Sequence, residues 1–385
     1  GKLINNNGTI ISIGSKYGHG IYIDSSSGEN LNITNTGVIY GKTNAIRIYS
    51  GTLKALYNYG LLVAGDIIIG GSGTITNKNN YGLVFKVESK GTYSASNTND
   101  ANGNSDFSNF GTISTKGEYI VVNAKAKGTD NTDITGTESL TLKNGTLSYL
   151  DSDATKQTES ISPDKKYVFN GITNTLEVAG KHNKLNNSTI NAYETAVVMG
   201  DNSMLTLDNT VVNGGMKEST ATISITENGS ALTVKGDSVI NVRDGGVAIT
   251  VNGSDNAVVL KGNTIVNGKM EAKGDRNILD LNGTGKYGMN MHHDISGFEK
   301  MAIDNNVTFF EDMTVTGTTE VTVEETGVLS LRLKKDLVAS ASVDDTPKAT
   351  HAFSGNGGMT IEGSGEGGTL NFITNGIGRV IDVDM

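Results

Sequence analysis

Five times in its first 113 residues the chain spells one phrase: Asn, any residue, Gly, then two or three apolar or β-branched residues. The copies are Asn6-Asn7-Gly8-Thr9-Ile10-Ile11, Asn35-Thr36-Gly37-Val38-Ile39, Asn58-Tyr59-Gly60-Leu61-Leu62-Val63, Asn80-Tyr81-Gly82-Leu83-Val84 and Asn109-Phe110-Gly111-Thr112-Ile113. Their glycines step by 29, 23, 22 and 29 residues. A unit that short cannot bury its own apolar face and has to stack on its neighbours, which makes it a rung of a solenoid. Asn and Gly tolerate the tight turns such a coil needs. The chain is rich in both, with 50 Gly and 42 Asn in 385 residues.

Between the turns lie short alternating runs: Ile21-Tyr22-Ile23, Ile46-Arg47-Ile48, Leu83 to Val87 and Tyr119 to Val122. Apolar residues two apart mark strands, and no stretch carries a convincing 3.6-residue period. Parallel rungs about 4.8 Å apart put equivalent positions on top of one another. Tyr59, Tyr81 and Phe110 are therefore expected as an aromatic stack, and Asn58, Asn80 and Asn109 as an Asn ladder. A second phrase, Leu-x-Leu followed by β-branched residues ending in Asn, occupies the later chain. Its leading residues Leu205, Leu232, Val258 and Leu279 step by 27, 26 and 21.

The expected fold class is all-β, a parallel β-helix. Rungs fill 1–122, 171–333 and 355–385. The polar stretch 94–108 is expected as a loop, 123–170 as an insertion or excursion between two rung arrays, and 334–354 as a second excursion. Stacked in one rod at roughly 24 residues per rung, the chain would make about 16 rungs and span about 75 Å.

Composition narrows the function. The net charge of −10, from 41 acidic and 31 basic residues, argues against nucleic acid as a partner, since phosphate contacts need a basic surface. There is no cysteine, so disulfides, thiolate metal sites and thiol catalysis are excluded. No apolar run reaches the ~20 residues of a membrane helix. No signal peptide is visible, and the chain begins and ends within its pattern, as a piece of something longer would.

Few residues suggest chemistry. His292-His293-Asp294 could form half a metal site, but adjacent strand residues point to opposite faces, and a polar turn explains the triplet better. Asp201, Asp237, Asp275 and Asp304 sit at turn positions rather than clustered for acid/base work. No catalytic residue, metal ligand or cofactor is expected. Eleven of the 13 tyrosines lie between Tyr17 and Tyr167. Tyr59 and Tyr81 are expected inside the stack. Tyr22, Tyr49 and Tyr93 alternate with or follow inward apolar positions, so they are expected to face outward. Such rings beside Asn and Asp could bind a sugar face or a protein loop.

The Asn/Gly-turned solenoid resembles the passenger domain of type V autotransporters. The run Ile295-Ser296-Gly297-Phe298-Glu299-Lys300-Met301, leading through Asn305-Asn306-Val307-Thr308 to Gly327-Val328-Leu329-Ser330-Leu331, is similar to rungs of large fusobacterial adhesin passengers. The resemblance implies a right-handed β-helix exported and displayed on the bacterial outer membrane. A C-terminal barrel, not part of this sequence, would hold it there. It also implies a monomeric adhesin that binds a protein or glycan receptor on host cells or other bacteria. Two other readings stand beside it: a secreted glycan-active lyase or hydrolase, and a spacer that lifts a distal binding domain.

Overall fold

The computed structural model describes residues 1–14, 16–24, 30–87, 93–94, 114–116, 119–123, 140–150, 155–310, 313–315, 319–332, 353–355, 359–363 and 367–373. These residues are all β, with parallel sheets stacked as a solenoid of about 11 turns and no helix among them.

The first array has three columns of strands. Lys2–Asn6, Leu31–Asn35, Thr52–Asn58 and Thr74–Asn80 form the first, and Thr9–Ser12, Val38–Gly41, Leu61–Ala64 and Leu83–Val87 the second. His19–Ile23, Asn44–Ile48 and Ile69–Gly70 form the third. The Asn-x-Gly phrase is the corner between the first two columns. There the amides of Thr36 and Gly37 both donate to the Asn6 carbonyl, and those of Tyr59 and Gly60 to the Asn35 carbonyl. Rungs approach so closely at this corner that a Cβ on Gly37, Gly60 or Gly82 would run into the carbonyl oxygen of the glycine one rung before. That close approach is why glycine recurs there.

The expected ladder is present. Asn6 donates to Asn35 Oδ1 at 2.9 Å, Asn35 to Asn58 at 2.8 Å, and Asn58 to Asn80 at 2.8 Å. Asn35 and Asn58 are fully buried, so these bonds satisfy amides that could not otherwise leave water without cost. Asn109 and Phe110 lie outside the described residues.

The second array repeats the plan with the other phrase. Leu205, Leu232, Val258, Leu279 and Met301 are register partners in successive rungs. Leu207, Val234, Leu260, Leu281 and Ile303 run beside them in the same strands. All ten side chains are buried. A second column, Lys166–Asn170, Thr189–Asn191, Val211–Asn213, Val239–Asn241 and Ile265–Asn267, ends every strand on Asn. These build a second ladder, Asn191 to Asn170, Asn213 to Asn191, Asn241 to Asn213 and Asn267 to Asn241, at 2.8–3.0 Å.

Within 123–170, Leu140–Lys143 pairs parallel with Asn174–Ala179, and Lys166–Asn170 carries the first Asn of the second ladder. Thr146–Leu150 and Lys156–Ser160 add antiparallel to the edge. Apart from Ser94 and the start of the strand Phe353–Gly355, the stretches 94–108 and 334–354 lie outside the described residues.

The arrays do not continue one another as a single rod. They lie side by side, joined along their Asn corners. Besides the ladder bonds, four of the second-array Asn donate to first-array carbonyls: Asn170 to Tyr81 at 2.9 Å, Asn191 to Tyr59 at 2.7 Å, Asn213 to Thr36 at 2.8 Å and Asn241 to Asn7 at 2.9 Å. The sequence separation of these pairs widens from 89 through 132 and 177 to 234 residues. One chain direction therefore runs up the seam while the other runs down. Rung counts do not add along one axis, so the single 75 Å rod is replaced by a shorter, thicker pair.

Candidate functional site

The outward-facing tyrosines come first. Tyr22 and Tyr49 are 53% and 54% exposed, on neighbouring rungs of the His19–Ile23 and Asn44–Ile48 column. Flanking Ile21, Ile23, Ile46 and Ile48 are buried beneath them. Period-2 alternation thus gives each ring a rigid base. Tyr22 and Tyr49 have ring centroids 6.3 Å apart, His19 and Tyr22 6.0 Å, and Tyr17 and His19 6.5 Å. Tyr17 is the most exposed of them, at 72%. Arg47 is the register partner of Tyr22 and sits on the same face. The result is a strip of four rings with one guanidinium beside it.

His19 within this strip is held below its ordinary pKa, first by burial and then by the Arg47 charge. Asn44 pulls the other way without reaching hydrogen-bond geometry, and both His19 Nδ1 and Asn44 Oδ1 are buried without a partner. His19 is therefore neutral at pH 7 and adds a flat, uncharged ring. The sequence pointed to Tyr22 and Tyr49 but not to His19, which opens the strand, or to Tyr17, which lies in the turn before it. Tyr93 lies in the strand Tyr93–Ser94, opposite Val87; its side chain is outside the described residues.

Tyr59 and Tyr81 do stack, at 5.0 Å and 18°. They are half-buried at the seam rather than inside the first core: Tyr59 packs 4.5 Å from Tyr119, and both carbonyls accept from the second ladder. The corner position that each array alone would leave at its edge becomes interior when two arrays meet.

Next to the seam is a cleft of about 740 Å³. Its floor is the outer side of the first array's second column, including Ile11, Tyr40, Val63 and Val87, and Tyr193 and Met216 close it from the second array. Further along, the same two surfaces make direct contact. Val38, Leu61, Val63, Leu83 and Phe85 pack with Tyr193, and Phe85 and Tyr193 lie 5.2 Å apart. Burial pushes Tyr193 up to about 12, helped by Tyr40 and by the charges of Glu194 and Glu218. Tyr193 thus stays protonated across the physiological range and has no acid–base role there. The cleft's cations are already engaged: Lys217 pairs with Glu194 at 2.7 Å, and Arg243 Nη1 donates to the carbonyls of Gly215, Lys217 and Thr220. Arg243 therefore pins the 215–220 turn.

Acidic groups elsewhere serve the rungs. Asp208 pairs with Lys235 at 3.0 Å and Lys184 at 3.7 Å, and Asp255 takes a bidentate pair from Arg276. Surface pairs of this kind align neighbouring rungs and add little stability each. His292 stacks on Phe310 at 4.5 Å, and among the described residues no group of three His, Cys, Asp or Glu converges as a metal site would. No protein-family model, curated protein or solved structure matches the chain.

Proposed function

We propose that the chain is an adhesive scaffold, a stiff β-solenoid that offers the Tyr17–His19–Tyr22–Tyr49 strip to a carbohydrate or protein loop on another cell. The observation that carries this reading is the strip itself. Exposed rings on adjacent rungs, Tyr22 held between buried Ile21 and Ile23 and Tyr49 following buried Ile48, form a preorganised surface, which lowers the entropy lost on binding. Tyrosine supplies contact area and a hydroxyl at the same point, the combination that favours recognition of partly polar partners. Arg47 provides a cation beside the rings for stacking or for a carboxylate. The resemblance to autotransporter passengers supports display of such a surface outside a bacterium, carried by the outer membrane.

Binding of the purified chain to glycan arrays and to host and bacterial cells tests this reading. Tyr22→Ala with Tyr49→Ala should weaken binding by about tenfold or more, the usual effect of losing anchoring aromatics, while the unfolding midpoint stays unchanged. Wild-type binding by that folded variant would refute the strip as the contact surface. Turnover of a polysaccharide by the chain would move it to the enzyme reading.

A further inference from the structure

Apart from the tyrosine strip and the seam, the outer face of the second array carries a hollow of about 380 Å³. It lies on the column Thr195–Met199, Ala221–Ile225, Val247–Val251 and Lys269–Ala272, which has a further strand paired at each end, Asn174–Ala179 and Ile295–Ser296. Its floor is the outward line of that column. Ser224, Thr250 and Glu271 are register partners on three successive rungs. They are half-buried, while Ile223, Ile225, Ile249 and Val251 beside them are buried. Of the residues lining the hollow, only Ala221 and Val247 are apolar.

One wall is a loop. Residues 214–220 join Val211–Asn213 to Ala221–Ile225, where the shorter 192–194, 242–246 and 268 make the same connection on neighbouring rungs. Gly215 and Ser219 give the loop its two left-handed turns, at φ of 63° and 64°. Arg243 Nη1 holds it by donating to the carbonyls of Gly215, Lys217 and Thr220 at 2.8, 3.1 and 2.8 Å. Thr220 and Arg243 both border the hollow. The guanidinium there is a cation without an acid. Lys217 has Glu194, Lys235 has Asp208 and Arg276 has Asp255. Among the described residues no carboxylate pairs with Arg243, and its Nε and Nη2 donate to nothing. Carbonyls fix the group in place but do not cancel its charge. At the other end of the strands Lys273 stands a loose 4.0 Å from Glu271. The hollow therefore carries two cations and one anion, on a chain whose net charge is −10.

We propose that this hollow binds an acidic sugar, a pyranose that carries a carboxylate. Its volume falls within the about 300–1,000 Å³ of small-molecule sites. A lining of hydroxyls and charges suits a polyol, since an apolar ligand would cover those groups without replacing their hydrogen bonds to water. The carboxylate takes Nε and Nη2 of Arg243, the same fork that Arg276 offers to Asp255. The ring hydroxyls meet the floor, where polar groups recur at the rung spacing of about 4.8 Å. Glu271 accepts from them. Thr250 Oγ1, whose own proton points to Asn252 Oδ1 at 3.4 Å, also accepts, and Ser224 can donate or accept. Selection of an acid over a neutral sugar comes from Arg243, whose charge only the carboxylate matches. The site is on the second array, so it does not depend on the Tyr17–His19–Tyr22–Tyr49 strip of the first.

The test titrates the full chain with D-glucuronate, D-galacturonate and N-acetylneuraminate by ligand-observed NMR. Each acid is compared with its methyl ester, which keeps the ring and loses the charge. At least one acid should bind saturably and about tenfold more tightly than its ester, from the charge-assisted pair with Arg243. Arg243→Ala should erase that preference. Because Arg243 also holds the 214–220 loop, a second variant leaves the loop alone. Ser224→Val installs the residue that its register partner Val198 already has. It should unfold at the wild-type midpoint and bind the acid about tenfold more weakly. The Tyr22→Ala, Tyr49→Ala chain should bind the acid as the wild type does. Four results overturn the proposal: no saturable binding of any of the three acids, equal binding of acid and ester, an acid preference that survives Arg243→Ala, or wild-type binding by Ser224→Val. Loss of acid binding in the tyrosine variant alone also overturns it, and moves the contact to the strip.

Discussion

The first array carries unbroken apolar runs after its corners, such as Leu61-Leu62-Val63-Ala64, while the second alternates, as in Leu205-Thr206-Leu207. Both are parallel solenoids, so the difference lies in what each strand touches. Leu62 and Ala64 point into the first array's core, and Leu61 and Val63 point out into the cluster shared with Tyr193. The strand is covered on both faces. Leu205 and Leu207 face the second core, whereas Thr206 between them is only half-buried. Parallel strands buried on two sides read as continuous apolar runs, and strands buried on one side read as alternation. The arrays are unequal partners: one docks a whole face, the other docks its corners.

That asymmetry can be broken at graded cost. Leu232 sits at 0% exposure in the second core, and Leu232→Asp puts a charge there without a partner. We expect a loss on the order of 4 kcal/mol or more, or failure to fold, read by chemical denaturation. Unchanged unfolding would contradict the register that stacks Leu205, Leu232 and Val258.

The seam comes next. Asn213 is fully buried, donates to Asn191 Oδ1 and Thr36 O, and accepts from Asn241 Nδ2. Asn213→Ala orphans buried partners in both arrays and should cost about 3 kcal/mol by denaturant unfolding. A loss confined to a few tenths would mean that the arrays do not share this bond.

Two glycines sharpen the contrast between arrays. Gly60→Ala in the first array drives a Cβ into the Gly37 carbonyl, so the rungs must part, at about 1–3 kcal/mol. Gly245 in the second array has φ of 66° and open space around it. Ala there costs only the backbone strain, about 1 kcal/mol. Equal losses in thermal melts would show that close approach is not what glycine serves at the Asn-x-Gly corner.

The smallest expected effect is one of pH. His19 has a folded pKa below its ordinary 6.5. As pH falls through that value, the unfolded chain takes up a proton that the folded chain resists, so stability declines on the acid side and is unaffected above it. His19→Gln should remove a small part of the stability loss seen just below pH 6.5. Identical pH profiles for both chains would contradict the assignment.

Much of this architecture was legible. Asn-x-Gly gave the corner and the first ladder, because stacked identical turns force identical side chains together. The second ladder was visible only as a strand ending, Val211-Val212-Asn213 or Val239-Ile240-Asn241. Its copies at Asn170 and Asn191 lie outside the clean Leu-x-Leu register. The meeting of the two ladders was not legible. The four bonds that make it link residues 89 to 234 positions apart, and each phrase is complete within its own array. One signal was available, the continuous run at Leu61–Ala64, which already implied cover on both faces. Tyr22 and Tyr49 were readable because alternation fixes which way they point; His19 was not, because it has the parity of inward Ile21 and Ile23, and Tyr17 was not, because it lies in the turn before the strand.

The two arrays pack side by side in opposite directions, and the absence of native cysteine makes a distance test clean. Spin labels on Lys2→Cys with Lys300→Cys, and on Thr76→Cys with Lys300→Cys, compare opposite ends of the first array with one point on the second by double electron–electron resonance. Side-by-side packing predicts the Lys2–Lys300 distance to be the shorter, because rungs run from Thr76 toward Lys2 as the second array climbs toward Lys300. The reverse order, with Thr76 nearer to Lys300, is what one continuous rod requires and would contradict the seam.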